Sequence, residues 1–563
     1  MAKVITDEQN YQDIAAAIRA KLGSSDTYTP SEMAAAIGNI SGGGGGSSTP
    51  LDSEVVYLAT RPADWLKMPT PGDDEMYFLL QIDDDYTGPV AICFESAACT
   101  LEFGTSDQNG NFIADSSMTY QAPNYNVQTS IPSSKFGSPT AEGKKQIIMK
   151  ASGAQFNRLA MTADRTVQFR HAIAELSAKL TSTNIYNFIG SGNSNYYVPN
   201  MRYISVTGGK YASYAQSILA GCSGLIAVRS LPSLSQLTSL RQAFMYCYKL
   251  IAVCALDTSG ITDYTQAFSY CTSLSAAPAF NTANGTVFDR TFDNCLKLTT
   301  TPAWDFSSAT NLNSCFYYCQ GLKTASLTLN SATNLSTLFN NCSDLTSATV
   351  NAPNATNWYN TFSSCRNIET VSLVMTSAQT IPEIPGTSLK SLTGYDTSSA
   401  INMTVAVSNF LSKDEIEALN TSNATNFSNA IGYSRSLFPC HLDLSSWDFS
   451  SVTSSTGLNN LVNVPGGTEI VFGDTFGASG IINVGTMISA SSTYYAPTSD
   501  SPVHIKINKT DAMLQLAANA TTVFSGNSYI YVYVPDNLLT TYQADTYWST
   551  LGARLKGFSE WPS

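Results

Sequence analysis

Between Ile218 and Ile368 the apolar positions keep one phrase: an aromatic or aliphatic residue, Cys three places on, then Leu or Ile three places further. The copies are Leu219-Cys222-Leu225, Phe244-Cys247-Leu250, Phe268-Cys271-Leu274, Phe292-Cys295-Leu298, Phe316-Cys319-Leu322, Phe339-Cys342-Leu345 and Phe362-Cys365-Ile368. Successive cysteines stand 25, 24, 24, 24, 23 and 23 residues apart. Spacing of i, i+3 and i+6 turns the three side chains one way on a helical or 3₁₀ turn. Between phrases lie short stretches of β-formers, such as 298–306, ended by Ser, Thr, Asn and Ala. Turn plus strand at this period predicts a solenoid, because one unit alone cannot bury its apolar side.

The other patterns differ. Residues 1–41 predict a helical hairpin: Thr6 and Gln9 form a capping box ahead of the stripe Tyr11, Ile14, Ile18 and Leu22. Thr29, Pro30 and Glu32 start a second helix carrying Met33, Ile37 and Ile40. Helices this short need a partner surface to bury their stripes. Gly42 to Ser48 is a flexible linker, continuing to residue 50. Residues 51–170 alternate in short runs such as 75–82, 90–94 and 145–150, which predict a β-sandwich of immunoglobulin type. The solenoid is expected over 171–480, irregular at 375–401, where Pro382 and Pro385 break the period. A capped helix is expected at Ser412 to Glu415, and the repeat returns at 426–464 with Ile431, Ser434 and Leu437 in the phrase. A strand at 529–534 and a helix after Pro535 then close the solenoid, within an end and cap at 481–563. The expected class is mainly β with short helices: hairpin, sandwich, solenoid, cap.

The phrase and its linkers, such as Leu442 to Thr453, resemble the BspA-type leucine-rich repeat over roughly residues 171–563. That resemblance implies a leucine-rich-repeat solenoid and an extracellular binding role on gut bacteria or on the virions of their phages. Residues 11–37 are similar to N-terminal modules of phage tail and head fibres, and 61–75 look like a module preceding such repeats in gut phage proteins. Together they imply a virion fibre attached through residues 1–41 to a virion structural protein, with a homotrimer expected by analogy. The alternatives are a bacterial cell-surface adhesin and, less favoured, a capsule depolymerase.

Composition narrows the partners. Only 13% of the 563 residues are charged, and 42 acidic against 29 basic residues give −13, which argues against nucleic acid and anionic membrane. There is no run of about 18 apolar residues to span a bilayer. The first residues lack the apolar core of a secretory signal, so the expected route outward is assembly in a host cytoplasm and display on a released particle.

Candidate chemistry is sparse. Seven of the twelve cysteines share one repeat position, which favours stacked buried thiols over disulfides or metal, although rungs about 4.8 Å apart leave a bridge possible. The histidines are His171, His441 and His504 only, and no hydrolase elbow, zinc motif or P-loop occurs. Asp289 with Asp293 is the best carboxylate pair in the repeats, yet one pair unmatched in neighbouring rungs reads as turn chemistry. The acidic turns 73–75 and 83–85 lack calcium-loop spacing. No cofactor or metal is expected, and no enzyme activity. The position before the repeated Cys holds Tyr246, Tyr270, Asn294 and Tyr318 in consecutive rungs, with Tyr248, Tyr264 and Tyr317 expected to thicken the column. Phenol and amide tips beside apolar rings suit a host-surface glycan or protein, although the same rings could instead cover the seams between rungs.

Overall fold

The computed structural model describes residues 51–562 except 95–97, 123–126, 154–155, 157, 160–166, 183–184, 189–197, 214–216, 386–387, 405–410, 432–439, 453–456, 478–485, 491–495, 517 and 526. The expected hairpin at 1–41, the linker, and Ser434 and Leu437 lie outside the described residues. Two compact units divide the chain at Ala325 and Ser326.

The first unit opens with helix α1 (Ser53–Thr60), whose N-terminal amides of Glu54 and Val55 donate to the Asp52 carboxylate. Strands β1 (Glu75–Asp83), β2 (Val90–Phe94), β3 (Cys99–Ser106), β4 (Phe112–Ala122), β5 (Val127–Ile131) and β6 (Lys144–Ser152) follow. After β7 (Arg158–Leu159) and helix α2 (Val167–Ala172) come β8 (Ile173–Leu180), β9 (Tyr186–Phe188), β10 (Tyr203–Gly208), β11 (Ala227–Ser230) and β12 (Ala252–Val253). Eight of them form one sheet, in the order β12-β11-β10-β8-β1-β6-β3-β4. Pairing is antiparallel from β8 to β4 and parallel from β8 to β12.

Strand β1 is buried on both faces, which is why 76–80 reads as an unbroken apolar run. Tyr77 and Leu79 join Val56, Trp65, Ile148 and Tyr203 in one cluster. Phe78 faces Phe169 of α2, on the side where α2 packs against the β2–β5 ribbon. The sheet does not stop at residue 170, because β8 pairs with β1 on one edge and β10 on the other. This mixed, continuous order sets it apart from the immunoglobulin pattern expected for 51–170. An open parallel edge invites unwanted pairing, and the antiparallel strands cover it. Helix α1 is locked over this sheet by Glu175 of β8, which is 1% exposed and accepts from Arg61 Nε at 2.8 Å and Tyr57 Oη at 3.0 Å. Arg229 of β11 adds a two-bond pair with Glu54 and lies 3.7 Å over the Tyr57 ring.

From β11 on, each repeat adds a rung. Phe244, Phe268, Phe292 and Phe316 stack face to face at 5.1–5.5 Å inside the unit. The phrase is a string of single turns rather than a helix: the Cys247 amide donates to Phe244, and the Leu250 amide to Cys247. The expected strand after each phrase forms at β11 and β12 but not near Pro278 or Pro302, which have no amide to donate. There Phe280, Trp304 and Phe306 turn inward instead, and Trp304 Nε1 donates to the Pro278 carbonyl at 2.7 Å.

In the second unit Phe339 and Phe362 continue the stacking habit at 5.6 Å. Parallel strands at Ser347–Asn351, Thr370–Val374 and Ser391–Thr393 pair in register. The helix Lys413–Glu417 carries the expected capping box between Ser412 and Glu415. Five parallel strands end the unit: His441–Leu444, Glu469–Phe472, Val503–Ile507, Ile530–Val534 and Leu555–Gly557. The helix expected after Pro535 begins at Leu539, and with the 3₁₀ segment Trp548–Arg554 it buries Tyr542, Trp548 and Leu551 against the solenoid end. The protein is thus a mainly β solenoid of stacked coils with few short helices.

Candidate recognition surface

Each of the seven Cys repeats has two residues in the left-handed region. One precedes the repeated Cys: Gly221, Tyr246, Tyr270, Asn294, Tyr318, Asn341 and Ser364, with φ between 58° and 73°. The other lies four residues earlier: Ser217, Gln242, Gln266, Arg290, Ser314, Thr337 and Asn360. These positions keep the phrase from continuing as a helix and aim successive amides at the next rung. Gln242, Phe244 and Tyr246 donate to the carbonyls of Thr265, Ala267 and Ser269. Gly and Asn tolerate this conformation, whereas a Tyr there costs on the order of 1 kcal/mol.

The Cys side chain points in, and its predecessor stands at the surface. Tyr246, Tyr270 and Asn294 are half-buried, while Tyr318 and Tyr248 are exposed. Tyr246 lies 5.2 Å from Tyr270 and 6.1 Å from Tyr248, and Tyr318 lies 5.9 Å from Tyr317. Tyr264 does not thicken the column: it is buried and stacks on Phe288 at 5.0 Å.

A carboxylate completes the patch. Asp293 accepts from Asn294 Nδ2 at 2.6 Å and Ser269 Oγ at 3.2 Å. Burial holds it above the ordinary carboxylate range despite those donors. Burial, then the Asp293 charge, raises the Tyr270 phenol. The patch therefore offers phenol and amide tips beside apolar ring faces, groups able to bond hydroxyl-rich ligands, with the buried Asp293 carboxylate bonded behind them. Sequence reasoning placed Asp293 in a carboxylate pair, but its place beside the tyrosines needed the fold. Asp289 is engaged separately, accepting from Asn313 Nδ2 at 2.8 Å.

The repeated cysteines are free thiols with a defined task. Sγ of Cys247, Cys271, Cys295, Cys319 and Cys365 donates to the carbonyl of Leu219, Phe244, Phe268, Phe292 and Phe339 respectively, at 3.0–3.2 Å. Burial raises all these thiols, that of Cys365 to about 12, so they are poor nucleophiles. Lysines answer the acidic turns: Lys179 pairs with Asp73, Lys150 with Glu75, Lys144 with Asp83 and Lys145 with Asp84. Among the described residues there is no cluster suited to a metal and no helix long and apolar enough to cross a membrane.

The geometry defines a repeat solenoid with an aromatic turn face. A family model described as "Mycoplasma protein of unknown function, DUF285" matches residues 238–358 and 377–460, within the repeats. No curated protein matches the chain. Among solved structures, a leucine-rich cell-surface protein from Faecalibacterium prausnitzii A2-165 is 12% identical with a TM-score of 0.23, the match covering 63% of this chain and 93% of that one. A leucine-rich-repeat protein from Bacteroides ovatus ATCC 8483 is 14% identical with a TM-score of 0.19, over 62% of this chain and 90% of that one.

Proposed function

We propose that the chain is a non-enzymatic attachment protein whose tyrosine-lined turn face binds a saccharide on a bacterial cell surface. One observation carries this: three rungs place Tyr at a left-handed position where Gly221, Asn294 and Asn341 mark the backbone's own preference. Strain kept against local preference points to selection for something other than folding. Tyr supplies area and a hydrogen-bonding tip at low entropy cost, and rungs repeat the site so that weak contacts add.

The setting we infer is a gut-phage virion fibre, with residues 1–41 docking on a virion structural protein; a cell-surface adhesin would use the same face. Purified protein should bind whole gut-bacterial cells and lose binding when periodate cleaves their surface diols. Binding that survives periodate would move the ligand to protein. Mass spectrometry of particles decides the setting, and deletion of residues 1–41 should abolish incorporation while leaving the solenoid folded.

A further inference from the structure

The five parallel strands that end the second unit send alternate side chains to opposite faces. Leu442, Ile470, Ile505, Val532 and Leu555 go inward and are buried. On the outward face the register sets His441 beside Glu469, Glu469 beside His504, and His504 beside Tyr531. Two residues along, Lys506 adjoins Tyr533, and Tyr533 adjoins Lys556. The chain then folds back and brings Phe558 and Trp561 to this face. Trp561 meets Tyr533 at 4.9 Å and His504 at 6.2 Å, crossing them at 79° and 70°.

Lys506 and Lys556 stand on this face with Glu469 and Glu560. Glu560 takes Lys556 at 3.1 Å, and Glu469 takes His441 at 2.7 Å. Lys506 makes no ion pair among the described residues. Its ammonium stands 4.7 Å from the centre of the Phe558 ring and 5.6 Å from that of Trp561. His504 uses Nδ1 on the Tyr533 hydroxyl at 2.8 Å. Packing of these rings alone would be served as well by an apolar residue at 506. A half-buried cation between two aromatic rings, without a carboxylate, is a positive site framed by surfaces that suit sugar C–H groups.

We propose that this face is a second binding site, for an anionic saccharide whose carboxylate meets Lys506 and whose ring packs against Trp561. It shares no residue with the tyrosine patch and stands or falls separately from it. The test titrates a short oligogalacturonate into the full chain, followed by calorimetry and tryptophan fluorescence, with a maltooligosaccharide and poly-glutamate as comparisons. Oligogalacturonate should bind, more weakly as salt rises, and the neutral sugar should not. Lys506→Gln should lose about tenfold in affinity, some 1.4 kcal/mol, with an unchanged melting temperature, while Lys506→Arg retains binding. The triple change of Tyr246, Tyr270 and Tyr318 to Ala should leave this affinity intact. Absence of oligogalacturonate binding, unchanged affinity in Lys506→Gln, equal losses in the Gln and Arg variants, or equal binding of poly-glutamate would each overturn the assignment.

Discussion

Replacing Cys271 separates packing from hydrogen bonding in the thiol column. Its side chain is fully buried, and Sγ donates to the Phe244 carbonyl at 3.1 Å. Cys271→Ala removes one sulfur from a closed interior, which costs about 1 kcal/mol by analogy with small core truncations. The lost donor adds little beyond about 0.5–1 kcal/mol, because the same carbonyl still accepts from the Cys247 amide at 3.2 Å. The total is about 2 kcal/mol. Cys271→Ser keeps the donor and returns part of this, so it should cost about 1 kcal/mol. Cys271→Asp buries a charge beside the Phe rings and should prevent folding of the rung. Guanidinium unfolding with reductant present, read as midpoint and slope, measures the series. A Ser variant less stable than the Ala variant would show that the slot reads only apolarity and that the thiol bond contributes nothing.

The same reasoning yields three further expectations. Tyr318→Asn exchanges an exposed Tyr for a residue at ease with positive φ, so thermal unfolding should show stability unchanged or raised by up to about 1 kcal/mol. A loss of more than that would make the ring structural. Burial raises Asp293, so its favourable protonated state is complete below the ordinary carboxylate value and is lost as pH climbs through the raised one. Asp293→Asn should therefore stabilise the protein at pH 7 and give no gain at pH 3; a gain equal at both pH values would refute the cause. Glu175→Gln leaves the nearly buried Arg61 without its carboxylate and should cost about 3 kcal/mol, whereas Arg61→Met with Glu175→Leu should be close to neutral. Additive losses in that pair would refute the coupling.

The rung phrase was legible because its inward residues recur in phase, and the Phe and Cys columns stand where that period puts them. Left-handed backbone was not read, although Gly221, Asn294 and Asn341 in one column carried the signal. From sequence the column reads as recognition or as seam cover, when part of its chemistry is conformational. Tyr264 was misplaced because it belongs to a second inward column, four places before each repeated Phe, with Leu240, Phe288, Leu312, Leu335 and Trp358, all of them buried. The strand after each phrase failed where Pro278 and Pro302 interrupt the ladder, and the large rings 280, 304 and 306 then fill the interior. Sequence spacing set His441 and His504 apart, yet parallel register brings both to one face with Glu469 between them. Only pairing of distant strands creates such a neighbourhood.

The most direct test of the central claim is binding of purified protein to periodate-sensitive bacterial cells, measured for the chain and for its Tyr246, Tyr270 and Tyr318 triple Ala variant alongside their melting curves. The account predicts that the variant loses at least about tenfold in apparent affinity while its melting temperature holds. Unchanged binding would remove the tyrosine face from recognition, and a collapsed melting temperature would make its rings part of the core.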